Sequence, residues 1–236
     1  MTLSSGRAAL AYEPLVGVVA QLLLVTALAM VTPLGFEGWL AGATYAVVLG
    51  GWLMTALFRA GAETVGAANR VTLARAGLVG SVTAIVIDSF WRPVPLTLLA
   101  VIAAVALVGD AIDGQIARRT GCVTPLGARF DMEVDAFLIL ILSLFVAKFL
   151  GPWVLLIGAM RYLFVAASWA LPWLTAALPH SMARKTVAAM QGVVLVAAAS
   201  GLLPATVSYI VTGIALGALS WSFGRDVHWL YRSRDV

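Results

Sequence analysis

Residues 95–147 read PLTLLAVIAAVALVGDAIDGQIARRTGCVTPLGARFDMEVDAFLILILSLFVA. Two apolar runs, Pro95–Ala117 and Leu126–Ala147, are joined here by a short connection that carries Gly121 and Pro125. Each run is long enough to cross about 30 Å of hydrocarbon as a helix. Glycine and proline mark the point where the chain turns back. The stretch therefore predicts two antiparallel membrane helices.

The rest of the chain continues this pattern. Hydrophobic residues make up 62% of the 236 positions and charged residues only 11%, whereas soluble domains are about 45–50% apolar and about 25% charged. This composition excludes an ordinary soluble protein and a disordered chain. We predict an all-α, polytopic membrane helix bundle with six further spans at Leu15–Val31, Trp39–Phe58, Val71–Trp91, Pro152–Leu174, Ala183–Leu202 and Ala205–Ser222.

The basic residues predict the orientation of these spans. If eight spans alternate, only Arg92 and Lys148 lie on the side opposite the N-terminus, and Arg161 lies within a span. The positive-inside rule then places both termini in the cytoplasm, and we expect the plasma (inner) membrane of a bacterium. We attribute the net charge of +4 to these inner loops and expect no nucleic-acid partner. The inner residues are Arg7, Arg59, Arg70, Arg75, Arg118, Arg119, Arg129, Arg184, Lys185, Arg225, Arg232 and Arg234.

Acidic residues concentrate where the two predicted helices of the stretch 95–147 meet. Five of the eleven acids lie within 26 positions. Asp110 and Asp113 are three residues apart and share a helix face. Asp131 and Asp135 are four apart and do the same, whereas Glu133 between them points away. The spacing predicts that two facing helices present four carboxylates to one space on the cytoplasmic side.

Four carboxylates in one place predict bound cations. They cannot all stay ionised unaided, because each raises the pKa of its neighbours. An all-oxygen site without nearby His or Cys points to Mg²⁺ or Mn²⁺, and about two such ions would balance the charge. Gly114 and Ala117 are small enough for a ligand to approach the helix backbone, and Arg118 is a candidate partner for phosphate oxygens.

The spacing of these residues also resembles a known signature. Written out, it is Asp110-x2-Asp113-Gly114-x2-Ala117-Arg118-x8-Gly127-x3-Asp131-x3-Asp135, which is similar to the motif of the CDP-alcohol phosphotransferase family. Asn69-Arg70-Val71-Thr72-Leu73-Ala74-Arg75 resembles the stretch that opens the first core helix of that family. Arg184-Lys185-Thr186 with Gln191 resembles the basic segment that opens the fifth.

The resemblance implies a six-helix core, residues 66–236 with a cytoplasmic C-terminal tail, preceded by two extra transmembrane helices in residues 1–65. It also implies a metal-dependent transferase of phospholipid biosynthesis. A phosphatidyl (or phospho-alcohol) group passes from a CDP-linked donor, which we expect to be CDP-diacylglycerol, to an alcohol hydroxyl, and CMP is released. Gly213 and Gly217 suit helix contacts, either inside the chain or in the homodimer that we expect.

The resemblance further implies roles for individual residues. Asp135 would be the general base and would also help to bind the ions. The full metal set would be Asp110, Asp113, Asp131 and Asp135, and the CDP site would contain Gly114, Ala117, Arg118, Gly127, Asn69 and Thr72. Basic residues that could hold a phosphorylated acceptor are Arg129, Arg161, Arg184 and Lys185. The branch that forms phosphatidylglycerophosphate commonly has a basic residue after the last aspartate, and Ala136 here argues against glycerol 3-phosphate as the acceptor.

A cation transporter is the alternative function, because carboxylates within a membrane also mark ion pathways. Transport predicts acids along a route through the whole membrane. In this sequence they concentrate on the inner side, and Asp88 lies towards the outer side with Arg92 four residues on, a spacing that favours an ion pair.

Overall fold

The computed structural model describes residues 3–61, 67–120, 124–176, 178–179 and 181–233, with the side chains of these ranges except 3–11, 67–69 and 111–120. The described chain forms α-helices and no strands, which confirms the all-α prediction. Two short 3-10 helices, Pro152–Val154 and Pro172–Thr175, flank the sixth α-helix. The α-helices are α1 Leu3–Val31, α2 Phe36–Arg59, α3 Ala67–Asp88, α4 Leu96–Thr120, α5 Pro125–Leu150, α6 Leu155–Ala170, α7 Met182–Ala199 and α8 Ala205–Ser233.

Six of these helices are long and apolar enough to cross a membrane, which indicates an integral membrane protein with several spans. They are α1, α2, α3, α6 together with the 3-10 helix before it (Pro152–Ala170), α7 with 18 residues and α8 with 29 residues. The eight expected spans correspond to eight helices, and α5 does not meet the same measure because of its charged residues. The described side chains of α4 lie in its apolar part, Leu96–Asp110, and every 18-residue stretch of α5 holds at least three charged residues.

Several helix ends differ from the expected positions. Helix α4 runs to Thr120, so the connection expected to start at Arg118 begins later. Helix α8 continues eleven residues past Ser222 to Ser233. In this polar end Asp226 is paired with Arg184 of α7, 3.0 Å between Nη1 and Oδ2. Hydropathy marks where a helix leaves the apolar layer and not where its hydrogen bonds end.

The chain divides into two compact units, Met1–Leu138 and Ile139–Val236. In the first, α1 and α2 pack against α3 through small residues. Gly38 of α2 lies so close to α3 that a Cβ there would stand 2.6 Å from the carbonyl oxygen of Ala84. Gln21 of α1 fills the space beside Gly80 and donates a hydrogen bond to the carbonyl of Gly42, 3.3 Å. The two N-terminal helices are thus closely packed onto the first helix of the expected core.

An ion network joins the end of α3 to the start of α2. Nη1 of Arg92 lies 2.6 Å from Oδ1 of Asp88 and 2.8 Å from Oε2 of Glu37. The same Asp88 oxygen accepts a hydrogen bond from the backbone N–H of Gly35, 3.1 Å. The hydrogen bonds to Glu37 and then to Asp88 raise the pKa of Arg92 above its usual value. The pair expected from the spacing of Asp88 and Arg92 is confirmed.

In the second unit, α7 and α8 pack together around a buried amide. Nε2 of Gln191 donates a hydrogen bond to the carbonyl oxygen of Ala215, 2.9 Å. The hydroxyl of Ser181 caps the start of α7 by accepting from the N–H of Arg184, 3.4 Å, and it also accepts a hydrogen bond from Arg225 of α8, 3.2 Å. These contacts hold the first turn of α7 against the polar end of α8.

Candidate metal centre

Three carboxylates converge in the first unit. Asp110 lies on α4, and Asp131 and Asp135 lie one turn apart on α5. One oxygen from each lies within 4.8 Å of the others. The spacing predicts that acids of the two helices meet, and these three do so. Each is partly exposed, with 33–41% of its side-chain surface accessible, so that the cluster is open to a ligand.

A single arginine from α3 contacts all three acids. Nη1 of Arg75 lies 2.7 Å from Oδ1 of Asp110 and 3.0 Å from Oδ1 of Asp135. Nη2 of the same side chain donates a hydrogen bond to Oδ1 of Asp131. The arginine is 3% exposed. Because the guanidinium is planar and offers several donors in a fixed fork, it can bridge carboxylates from two helices where a lysine could not.

Arg75 is the residue of this cluster that the sequence analysis did not assign. From the sequence, Arg75 is one of the basic residues expected on the inner side and the last residue of the Asn69–Arg75 stretch. A signal was nevertheless present, because carboxylates withdrawn from water require a positive partner. Gly109 of α4 lies beside the arginine, where a Cβ would be 3.4 Å from Cδ of Arg75, in ordinary van der Waals contact.

The start of α5 fixes the height of its two aspartates. Thr124 stands at the N-cap, and its hydroxyl accepts a hydrogen bond from the backbone N–H of Gly127, 3.0 Å. Pro125 occupies the first helical position, where its missing N–H costs nothing. This cap starts the helix about two turns before Asp131. Gly127 is half-buried, and its backbone serves the helix start.

The donor set fits a hard divalent cation. The three side chains offer only carboxylate oxygens, and such oxygens are the ligands that Mg²⁺ and Mn²⁺ prefer. Three negative carboxylates against one positive guanidinium leave an excess of two negative charges. That excess matches one divalent ion. The ion would be held by Asp110, Asp131 and Asp135, where its oxygen ligands already lie close together.

Several sequence-predicted residues lie outside the described side chains. They are Asp113, Gly114, Ala117 and Arg118, which fall within the backbone of α4, and Asn69 in the first turn of α3. Among the described positions, Thr72 is buried, one turn before Arg75. Glu133 is half-buried and is not among the described acids that could share an ion, in keeping with its spacing.

The candidate acceptor residues are distributed over both units. Arg129 is exposed in the second turn of α5, in the first unit. The second unit contains the half-buried Arg161 on α6 and the exposed Lys185 on α7. Arg184 is engaged in structural contacts: besides Asp226, it donates a hydrogen bond to the carbonyl oxygen of Pro179, 2.6 Å.

Comparison with known proteins gives one match. The family model described as CDP-alcohol phosphatidyltransferase matches residues 65–221. This range covers α3 to α7 and most of α8, and it includes the three converging aspartates and Arg75. Helices α1 and α2 lie before it. No curated protein and no solved structure is similar enough to count as a match.

Proposed function

The chain belongs to the CDP-alcohol phosphatidyltransferase family, and from that premise we propose that it transfers a phosphatidyl group from CDP-diacylglycerol to an alcohol hydroxyl. Membership makes it a transferase that acts on a CDP-alcohol donor. The convergence of Asp110, Asp131 and Asp135 around Arg75 is the observation that carries the proposal further. It supplies the oxygen ligands that a metal-dependent transfer of a phosphorylated group requires.

The proposed reaction breaks one P–O bond and forms another. The acceptor oxygen attacks the β-phosphorus of the donor, the bond from that phosphorus to the CMP phosphate breaks, and CMP leaves. Asp135 accepts the proton of the acceptor hydroxyl. Because a carboxylate is a weak base for an alcohol, this proton transfer accompanies the attack and does not precede it.

The remaining residues bind and orient. A divalent ion held by Asp110, Asp131 and Asp135, with Asp113 as a fourth ligand, would neutralise the pyrophosphate and hold it in line for attack. Arg75 keeps the carboxylates close together while the substrates exchange. We propose that the CDP site is formed by Gly114, Ala117, Arg118, Gly127, Asn69 and Thr72.

We further propose that the site opens to the cytoplasm, where a water-soluble acceptor can reach it. The asymmetry of the basic residues supports this orientation. For the acceptor we propose Arg129, Arg161 and Lys185 before Arg184, because Arg184 is already paired with Asp226. The homodimer and the division of the chain at residue 65 stay predictions.

Release of CMP tests the proposal directly. Full-length protein in nanodiscs is given CDP-diacylglycerol, Mg²⁺ and a panel of phosphorylated and unphosphorylated alcohols. We expect CMP release with one or a few of them, a lipid product whose mass identifies the acceptor, and loss of both on addition of EDTA. Cation flux in liposomes without CMP release would instead support the transporter, and CMP release that is indifferent to EDTA would contradict the metal site.

The assignment of the base is tested by one substitution and its neighbour. We expect Asp135→Asn to lower kcat by about 10²-fold or more, because it removes the proton acceptor and a metal ligand, while the protein still inserts and folds. Glu133→Gln is the matched control, since it makes the same chemical change two residues away and outside the converging acids. Its rate should stay within about twofold of wild type. Equal rates for the two variants would remove Asp135 from the mechanism.

A further inference from the structure

Helix α2 lies outside the region that the family model matches, yet two of its rings stack on α5. Trp52 packs on Phe130 with 6.0 Å between ring centroids, and Tyr45 packs on Phe137 with 4.7 Å. The two rings on α2 are seven residues apart, and so are the two rings on α5, which is about two helical turns. The order of the pairs shows that α2 and α5 run antiparallel along this contact.

The stacked rings flank the aspartates of α5. At about 100° per residue, Phe130 and Phe137 share one face of the helix. Asp131 and Asp135 lie about 100–140° further round and between the two rings in height. The acid face is held by Arg75 of α3, and the aromatic face is held by α2. Two contacts on different faces fix the rotation of α5 about its axis.

The support on the α2 side is itself firmly anchored. Leu53 and Leu57 are completely buried, and Gly38 and Gly42 bring α2 into close contact with α3. Phe130 on α5 is also completely buried. A displaced ring contact would therefore be relieved by rotation of α5 more readily than by movement of α2.

Small rotations matter because the carboxylates lie far from the helix axis. Side-chain tips lie about 5–6 Å from it, so a turn of about 20° moves a carboxylate by about 2 Å. The three ligand oxygens are now within 4.8 Å of one another. A shift of that size decides whether they can share one ion, since each oxygen ligand must lie about 2.0–2.1 Å from Mg²⁺.

We propose that α2 is part of the site, and that its Trp52 and Tyr45 are positioning residues that set the rotation of α5 and thereby the convergence of its aspartates with Asp110. The inference rests on the proposed metal site. It gives a function to α2, which lies outside the region that the family model matches.

Mn²⁺ affinity measures this convergence without requiring turnover. Full-length protein in nanodiscs is titrated with Mn²⁺, and the free ion is followed by electron paramagnetic resonance. We expect Trp52→Ala to weaken Mn²⁺ binding by about two- to tenfold, the range that loss of an aromatic pair can produce. Trp52→Phe keeps a ring and should restore most of the affinity, whereas general destabilisation would leave the affinity of the folded fraction unchanged.

Trp39→Ala is the matched control on the same helix. The indole of Trp39 donates a hydrogen bond to Thr26 of α1, 3.0 Å, and Trp39 lies about three and a half turns from Trp52. We expect its Mn²⁺ affinity to equal that of wild type. If Trp52→Ala does not fold, Trp52→Leu takes its place, because it keeps apolar volume and removes the ring.

The outcomes separate the two proposals. If wild-type protein binds Mn²⁺ and the Trp52 variants without a ring bind it with the same affinity, the positioning role is overturned and the proposed function stands. Wild-type protein that binds no Mn²⁺ would overturn the metal site and the positioning role with it. In a double-mutant cycle, Phe130→Leu added to Trp52→Ala should weaken binding by less than the product of the two single effects.

Discussion

Arg75 shows what a single residue contributes to this site. Its buried guanidinium contacts three carboxylates from two helices. Without it, three acids would face one another with no counter-charge, and mutual repulsion would separate them or keep them protonated. The arginine therefore holds the cluster together. An ion bound at the proposed metal site would perform the same neutralisation, so the two should partly substitute for each other.

We expect Arg75→Met to lower the unfolding temperature in EDTA and to gain more from Mg²⁺ than wild type does. Breaking a fully buried pair costs about 3–5 kcal/mol, and partial exposure of the acids reduces our expectation to about 2 kcal/mol. Intrinsic tryptophan fluorescence during heating measures both effects. Arg59→Met, at an exposed arginine of α2, is the control. If Mg²⁺ raised the unfolding temperature of wild type and of Arg75→Met equally, the idea that a bound ion can replace the arginine charge would be contradicted.

The sequence predicted the acids better than their partner. The spacing of Asp131 and Asp135 fixes a shared helix face by itself, because helical periodicity is local. The position of Arg75 depends on how α3 packs beside α4 and α5 and on the rotamer of a long side chain. Neither is encoded in local spacing. The ring pairs of Trp52 and Tyr45 were missed for the same reason, since their partners Phe130 and Phe137 lie 78 and 92 positions away in the sequence.

At the scale of the helices, close contact between α2 and α3 depends on missing side chains. Gly38 faces the carbonyl of Ala84, Cβ of Asp88 and a methyl of Leu34, all within 2.7 Å of where its own Cβ would be. Gly51, on the same helix, has open space at that position. Apolar runs predicted that both helices exist, but not which glycines are contact points.

Gly38→Ala and Gly51→Ala therefore make a matched pair. We expect Gly38→Ala to destabilise the protein by about 1–3 kcal/mol, because the added methyl group meets a backbone carbonyl that cannot turn aside. Gly51→Ala should be neutral or stabilising by up to about 1 kcal/mol through helix propensity. Chemical or thermal unfolding in one detergent ranks the two variants. The reverse order would show that α2 and α3 are less closely packed than described.

At the scale of the whole molecule, six apolar helices among the described residues indicate an integral membrane protein, and the distribution of basic residues predicts its orientation. Composition predicted the membrane class and the number of helices, since both depend on long apolar runs. It did not predict the length of α8, in whose polar end Asp226 is paired with Arg184. Charge asymmetry predicts orientation through insertion and not through folded contacts.

Cysteine labelling checks that orientation. In a Cys122→Ser background, Leu202→Cys places a thiol in the exposed connection between α7 and α8, and Ser233→Cys places one at the end of α8. With intact cells and a membrane-impermeant maleimide, we expect labelling at position 202 and none at 233 until the cells are permeabilised. The opposite pattern would reverse the predicted topology.

The ion network at the end of α3 bears on the leaflet in which the proposed lipid product would accumulate. Asp88 is already engaged by Arg92 and Gly35, about 20 Å along the helix from Arg75, so the described ends of α3 are chemically unequal. A transferase whose site lies towards only one side of the membrane would release its product into a single leaflet. Growth of the opposite leaflet would then depend on a separate scramblase or flippase, and membrane expansion could be limited by lipid translocation as well as by lipid synthesis.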